Sequence, residues 1–450
     1  MNFIFISPNF PEKYWLFCEE LRKNGARVLG IGDTPYESLS QDLKRALTEY
    51  YYVADMTVYE NMYKAVGYFA WKYGKIDWLE SNNEFWLETD ARLRTDFNIT
   101  TGIRTDRIDA IKEKSEMKKY YAQGGIRTAR QIKGSEGLER ALAFASEAGY
   151  PLFAKPDVGV GASGTHKIES EEMLRDIFAN DPHVAQYVIE EFVTGDICTY
   201  DAVIDSHGEP LAESMCVCPP SIADIVENNL ESTYYVEKHM SENLRFWGRN
   251  TVKAFGVTSR FVHLEFFRLN KPHRGLGEVG DFVALEVNMR PGGGFTPDMI
   301  NYAHSISMFK IWADMVTFDR RTTGQDGVDR YCLFAGRRNN VEYVLSREEV
   351  LRRYGSAIKE NPNIAPAFKQ VLPALFGALA ATYFSKHWKI SIFPIMVGVI
   401  TLIFASTMGV GTLIFVTIIA SLLGAFAMYK FGWLDSKDER KAKKAAKAKK

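Results

Sequence analysis

The sequence predicts an α/β opening that passes into an α+β body and ends in a transmembrane helical hairpin. Three stretches carry that prediction: strands and helices that alternate from the first residue, a pair of acid-bearing β runs between Phe261 and Asp298, and forty residues from Ile390 to Tyr429 without one charge. The 450 residues suffice for two or three compact domains, and a hydrophobic fraction of 46% with 25% charged residues is ordinary for a folded chain.

The alternation begins with NFIFIS, a helical pattern from Tyr14 to Asn24 that stops at Gly25, and the strand RVLGIG. YYYVADM, a helix from Asn61 to Lys72, KIDWLES and a helix from Glu84 to Phe97 continue it, which predicts a parallel sheet covered by helices over residues 1–105. MNFIFISPNF has no basic start and no long apolar run, so it reads as a first strand and not as a signal peptide. Asp33 follows the second strand, but no G-x-G-x-x-G follows the first, so no dinucleotide role is assigned to it.

RIDAIKEKSEMKKYY, from Asp106 to Tyr121, reads as one basic helix with Lys114 inside it. A helix over Gly134–Gly149 then leads into the strand YPLFAKP. Its Lys155 sits among apolar neighbours, a costly place for a cation that meets no anion. DVGVGASG follows, with Gly159, Gly161 and Gly164 spaced to give either a plain turn or a loop whose amides wrap phosphate oxygens. It is not a Walker A loop. AQYVIEEFVTG and ICTYDAVID read as a hairpin carrying Glu190 and Glu191 near its turn, either as surface charge or as a hinge that reads a base edge.

FVHLEFFRL and VALEVNMRP should form adjacent strands that aim Glu265 and Glu286 at one point. A period of two places Glu286, Asn288 and Arg290 on one face. A wet edge strand could carry that pattern. So could a hard-cation site beside an anion clamp, since Mg²⁺ takes carboxylate and amide oxygens and Arg suits phosphate or carboxylate. PDMINYAHSISMFKIWADMVT then reads as one helix, and DRYCLFAGRR, VEYVLS and REEVLRRYG as strands and a helix, ending near Ile364.

In this order, Lys114, Lys155, the glycine loop, the IEEFV segment, Glu265 and Glu286-x-Asn288-x-Arg290 resemble the ATP-grasp superfamily, in particular its carbamoyl-phosphate-synthase-like carboxylate–amine ligases. The resemblance covers residues 1 to about 365, as a Rossmann-like pre-ATP-grasp domain (1–105) and a two-lobed ATP-grasp domain (106–365). It implies ATP and Mg²⁺ (or Mn²⁺) as cofactors. By it, Lys114 and Lys155 would contact the α- and β-phosphates, and Gly159, Gly161, Ser163 and Gly164 would close over them. Glu190 would take the adenine amino group, and Glu191, Phe192 and Val193 would give backbone contacts. Glu265, Glu286 and Asn288 would hold the metal, and Arg290 would stabilise the transferring phosphate. Implied partners are a small carboxylate and an amine, and a homo-oligomer is compatible. The family's acid after the hinge has no clean match in Gly195-Asp196-Ile197, so no ribose contact is assigned.

Charge separates the front from the tail. Up to Tyr429 the chain carries 46 basic and 53 acidic residues, which argues against a nucleic-acid-binding body, whereas Lys430–Lys450 has nine Lys/Arg against three acids. Cys18, Cys198, Cys216, Cys218 and Cys332 are odd in number and scattered, as in a reducing compartment; Cys216-Val217-Cys218 has no second pair to complete a metal site. Ile390–Met408 and Thr412–Tyr429 are each near the roughly 20 residues that cross a bilayer core, with Gly409–Gly411 to turn between them. The expected layout is an interfacial segment (366–389), a two-helix hairpin (390–430) and a basic tail (431–450) held with the catalytic part on the cytoplasmic side. The competing functional reading is a membrane-tethered nucleotide-binding regulatory module without turnover. A transporter subunit is disfavoured, since the spans hold no charge to line a path.

Overall fold

The computed structural model describes residues 1–159, 164–219, 231–325, 327–337, 341 and 343–360. Met1–Val344 forms one compact unit; the described part of the second, which starts at Leu345, holds the helix Arg347–Tyr354. No described helix is long and apolar enough to cross a membrane, and the expected segments 366–389, 390–430 and 431–450 lie outside the described residues.

Within the first unit the opening strands β1 (Asn2–Ile6), β2 (Arg27–Gly32), β3 (Glu49–Tyr52) and β4 (Trp78–Glu80) pair in the order β3-β2-β1-β4, all parallel, as expected. NFIFI is apolar at every position after Asn2 because both faces are covered. Ile4, Ile6, Leu29 and Ile31 pack under the helices Tyr59–Tyr73 and Leu87–Asp96. Phe3 and Phe5 point the other way, into a cluster with Phe17 and with Phe309 and Trp312 from the helix Met308–Phe318. Phe17 lies 4.8 Å from Phe309 and 4.9 Å from Trp312, centroid to centroid, so the two halves of this unit share a core.

A small antiparallel sheet follows, made of β5 (Gln131–Lys133), β6 (Leu152–Pro156), β7 (His166–Ile168) and β8 (Tyr187–Glu191) in the order β5-β8-β6-β7. The large antiparallel sheet contains β9 (Gly195–Ile204), β10 (Pro210–Cys218), β11 (Thr233–Val236), β12 (Arg260–Leu269), β13 (Phe282–Asn288) and β14 (Cys332–Ala335), in the order β13-β12-β9-β10-β11-β14.

Several expectations are corrected. The predicted hairpin at Glu190–Glu191 is not one: β8 pairs with β5 and β6, β9 pairs with β10 and β12, and Phe192–Thr194 crosses between the two sheets. Two buried acids ending an apolar strand marked a passage between sheets, which alternation alone cannot distinguish from a turn. The helix expected over Asp106–Tyr121 is two, Asp109–Lys112 and Lys114–Gln123, because Glu113 is extended at φ −91°, ψ 116°. Lys114 therefore opens a helix. The stretch from Pro297 breaks into Thr296–His304 and Met308–Phe318 at Ser305, which is left-handed at φ 50°. β5 and β11 form where no strand was expected, and Val341, Tyr343 and Val344 lie outside any strand.

Candidate active site

The site lies between the inner faces of the two antiparallel sheets, and register builds most of it. Glu265 on β12 stands directly opposite Glu286 on β13, and His263 opposite Asn288, so the expected adjacency of the two acids is present. A bulge after Glu265 shifts the register and sets Leu285 out of the ladder. On the same rows β9 contributes Thr199 beside Glu265 and Asp201 beside His263.

The Glu286 carboxyl is raised above its ordinary value, first by burial and then by the charge of Glu265 opposite it, although Lys114 and Lys155 pull it down. Glu265 is held below its ordinary value: burial opposes ionisation, but His263, Arg290 and Lys155 outweigh it. His263 is wedged between two acids, with Nδ1 2.7 Å from Asp201 and Nε2 3.5 Å from Glu265. Burial works against its charge, yet Asp201 and Glu265 raise it to about 10. Asn288 donates Nδ2–H to Glu265 at 3.4 Å, and its Oδ1 accepts from Arg290 at 3.3 Å. Arg290 also donates to the Pro291 carbonyl at 2.9 Å and to Glu84 at 3.3 Å, a residue brought from the turn after β4.

The lysines come from the other side. Lys114 is buried, 3.3 Å from Glu286 and 3.1 Å from the Gly159 carbonyl, so the helix start and the beginning of the glycine loop meet at one ammonium. Lys155 on β6 is buried and lies 2.7 Å from Glu190, its diagonal neighbour on β8, and this is the anion its apolar strand required. Lys118, one helical turn after Lys114, sits 2.8 Å from the other Glu190 oxygen. Burial alone would raise the Glu190 carboxyl, but Lys118 and Lys155 hold it ionised, down to about 2. Glu191 points the opposite way and is clamped by Arg130, whose Nη2 lies at 2.8 Å and whose backbone N–H donates at 2.7 Å.

The crossing Phe192–Thr194 borders a cavity of about 430 Å³ also lined by Lys167, Lys271 and His273. Lys167 stands 5.5 Å over the Phe192 ring, Val193 is buried, and the Thr194 hydroxyl is buried without a hydrogen-bond partner among the described residues. Gly159 and Gly164 flank the glycine loop at φ 153° and 72°; Gly161 and Ser163 lie outside the described residues.

Among the described residues no group of three or more His, Cys, Asp and Glu is poised around a metal position. The expected metal set holds only two acids plus an amide, and their opposition with burial leaves anionic charge that a cation would relieve. The residues fit a hard divalent ion completed by phosphate oxygens, provided the Asn288 amide turns its oxygen toward Glu265.

Structure thus gathers Lys114, Lys155, Glu190, Glu265, Glu286, Asn288 and Arg290; the Glu191 side chain is held by Arg130, and Glu191, expected to act through its backbone, lines the same cavity as Phe192. The sequence reading missed Lys118, His263, Asp201, Arg130 and Glu84. Lys118 at i+4 from Lys114 and His263 at i−2 from Glu265 carried helical and strand periodicity that would have found them; nothing local marks Glu84.

Comparison with known proteins bears on the fold. The family described as carbamoyl-phosphate synthase L chain, ATP binding domain, matches residues 113–214, from the helix of Lys114 through β10. A D-alanine–D-alanine ligase of Clostridium perfringens is 32% identical over 88 residues, which is 19% of this chain and 29% of that enzyme, so the chain spans under a third of the relative it matches. Among solved structures, the biotin carboxylase domain of Hydrogenobacter thermophilus 2-oxoglutarate carboxylase, in complex with MgADP, ADP and bicarbonate, aligns with TM-score 0.57 and 17% identity over 74% of this chain and 73% of that one. The L-amino acid ligase of Bacillus licheniformis aligns with TM-score 0.53 and 16% identity, over 70% and 74%. Campylobacter jejuni biotin carboxylase gives 0.55 and 15%, over 74% of each.

Proposed function

From an ATP-grasp fold carrying this site, we propose that the chain is a ligase that uses Mg-ATP to activate a carboxylate as an acyl-phosphate, which an amine then attacks to form a carbon–nitrogen bond. The observation that carries the reading is the convergence between two sheets of Lys114, Lys155, Glu265, Glu286, Asn288 and Arg290, with a cavity bordered by Phe192 and Thr194 where the chain crosses from one sheet to the other.

The chemistry follows from charge. A carboxylate oxygen forms a bond to the terminal phosphorus as the bond to the ADP oxygen breaks, and the amine then forms a bond to the acyl carbon as phosphate leaves. Neither step needs a protein nucleophile; both need neutralisation and alignment. Lys114 and Lys155 supply positive charge to the phosphates, and Arg290, held by Asn288 and Glu84, is placed for the group in transfer. The divalent ion, held by Glu265, Glu286 and the Asn288 oxygen, would neutralise phosphate charge. Burial keeps the site drier and so strengthens each of these contacts.

Glu190, expected as the adenine contact, lies 2.7 Å from Lys155 and 2.8 Å from Lys118, which supports a role in setting the position of Lys155. The purine then rests on Phe192, Val193 and the unpartnered Thr194 hydroxyl. The carboxylate and amine are to be found by a pooled screen of amino acids and small acids for ADP and phosphate release, with hydroxylamine as a general acceptor. Release that depends on an added acid supports the ligase; nucleotide binding with no release under any addition leaves a regulatory module.

The C-terminal hairpin belongs to this proposal on sequence grounds alone: an even number of spans keeps the ATP site and the basic tail on the cytoplasmic face. Single cysteines at Ser385, Val410 and Ser436 in a cysteine-free background should react with an impermeant reagent from outside only at position 410.

A further inference from the structure

Away from the site, where residues 102–107 link the first sheet to the later domain, a cavity of about 160 Å³ is lined by Arg104, Arg107 and Arg260, with Asp106, Thr258 and Met289 also on its wall. Arg260 is 2% exposed. Its Nη2 meets Glu80 at 2.7 Å and its Nε donates to the Met289 carbonyl at 3.0 Å, but its Nη1 is buried with no partner among the described residues. Among the described residues Arg107 donates to the main-chain carbonyls of Phe255 and Gly256, and Arg104 to the Asn98 amide oxygen at 3.5 Å. Among the described residues neither guanidinium has a carboxylate, so the wall carries three positive charges against Asp106 and the share of Glu80 already taken by Arg94.

A buried guanidinium nitrogen left without an acceptor is destabilising unless something fills the gap. The cavity has room for roughly five waters at liquid density, which suits a small anion and excludes a nucleotide. Guanidinium forks match the oxygens of phosphate, and three of them can serve three oxygens of a tetrahedral dianion at once. We propose that this cavity is a binding site for a phosphate dianion, free or as a small monoester, separate from the ATP site. Because Arg260 also holds the Met289 carbonyl, one residue from both Asn288 and Arg290, an anion here touches the strand end that carries the site.

The test is calorimetric titration of inorganic phosphate into the full chain, with the ATP site filled by magnesium and β,γ-imido-ATP, repeated with the double variant Arg104→Gln/Arg107→Gln. One phosphate should bind per chain, and the double variant should weaken it at least tenfold while the affinity for the ATP analogue changes less than twofold. Arg260→Lys, which keeps the charge and removes the fork, should weaken phosphate on its own if it folds. Glycerol phosphate binding as well as phosphate identifies the monoester as an equal source. Succinate binding more tightly than either overturns the phosphate assignment, and phosphate affinity unchanged by the double variant, or no binding at ten millimolar, overturns the site. None of these readouts requires turnover, so failure of the ligase reading would be seen separately.

Discussion

Two buried charge clusters in this unit are made of similar residues and are solved differently. At the junction between the first sheet and β12, Glu80 accepts from Arg94 at 2.9 Å and Arg260 at 2.7 Å, and also from the backbone of Ser81 and Asn82. Arg94 gives its remaining donors to the Leu79 and Ile103 carbonyls. Despite burial, Glu80 is held below its ordinary carboxyl range by the two arginines. At the site, by contrast, Glu265 and Glu286 face each other, with His263 and Arg290 acting on Glu265 and Lys114 beside Glu286, and a lysine's point charge can move to another anion. Arginine forks lock a structure; opposed acids with mobile lysines leave charge for a ligand to settle.

The strongest way to break this comparison is Glu286→Gln. It removes one of two opposed acids while keeping shape, so turnover should fall at least about a thousandfold, or about 4 kcal/mol of barrier. Since burial and Glu265 already disfavour the Glu286 charge, the melting temperature should hold or rise. Phosphate release within tenfold of wild type in a folded variant would falsify the metal assignment. Arg94→Met is the converse. It strands Glu80 with one arginine and should cost about 3–5 kcal/mol in urea unfolding, with turnover per folded molecule little changed. Loss of turnover without loss of stability would place the junction in the chemistry.

How much of this was legible in the sequence follows from the range of each interaction. The parallel opening and the β12–β13 acid pair were readable because their signals are periodic and local, as in NFIFI and VALEVNMRP. The break at Glu113 and the passage of Phe192–Thr194 between sheets were not, since one extended residue or a change of strand partner leaves the hydrophobic pattern intact. Glu84 and Arg260 meet their partners 206 and 180 residues away, at distances no local pattern encodes. Lys155 shows the middle case. Its need for an anion was evident from its apolar strand, but Glu190 was read as a base contact and not as that anion.

Lys155 also supplies the next test. If the site lysines are reserved for phosphate, Lys155→Ala should weaken ATP by roughly ten- to a hundredfold, the worth of one charge-assisted bond, and adenosine by less than threefold. Lys118 remains to pair Glu190, so the variant should fold. Equal losses for the two ligands, read by calorimetry, would make Lys155 a purely structural partner of Glu190.

The smallest expected effect separates the clusters by pH. Asp90 belongs to the junction: its Oδ2 accepts from Ser81 N and Oγ at 3.0 and 2.6 Å and lies 3.8 Å from Arg94, while its Oδ1 is buried without a partner among the described residues. Burial is the main cause that raises it to about 7, with Glu80 adding to it and Arg94 opposing. An unfolded aspartate titrates near pH 3.9. Between the two values the folded chain holds a proton that the unfolded chain has lost, so this group's stabilisation is full below about pH 4 and is lost as pH rises toward 7. Asp90→Asn has no such proton to lose. The stability of wild type minus that of Asp90→Asn should therefore fall from pH 5 to pH 7 and level off above pH 8, by urea unfolding at each pH. Magnesium and ADP should leave that difference unchanged, because none of the groups expected to hold them belongs to the junction. The same subtraction for Glu286→Gln, whose acid is also raised, should respond to magnesium, because there the missing charge is the ligand's. A difference for Asp90 that stays flat across the window would mean the acid is ionised throughout, and the contrast between a closed cluster and an open one would then rest on Glu286 alone.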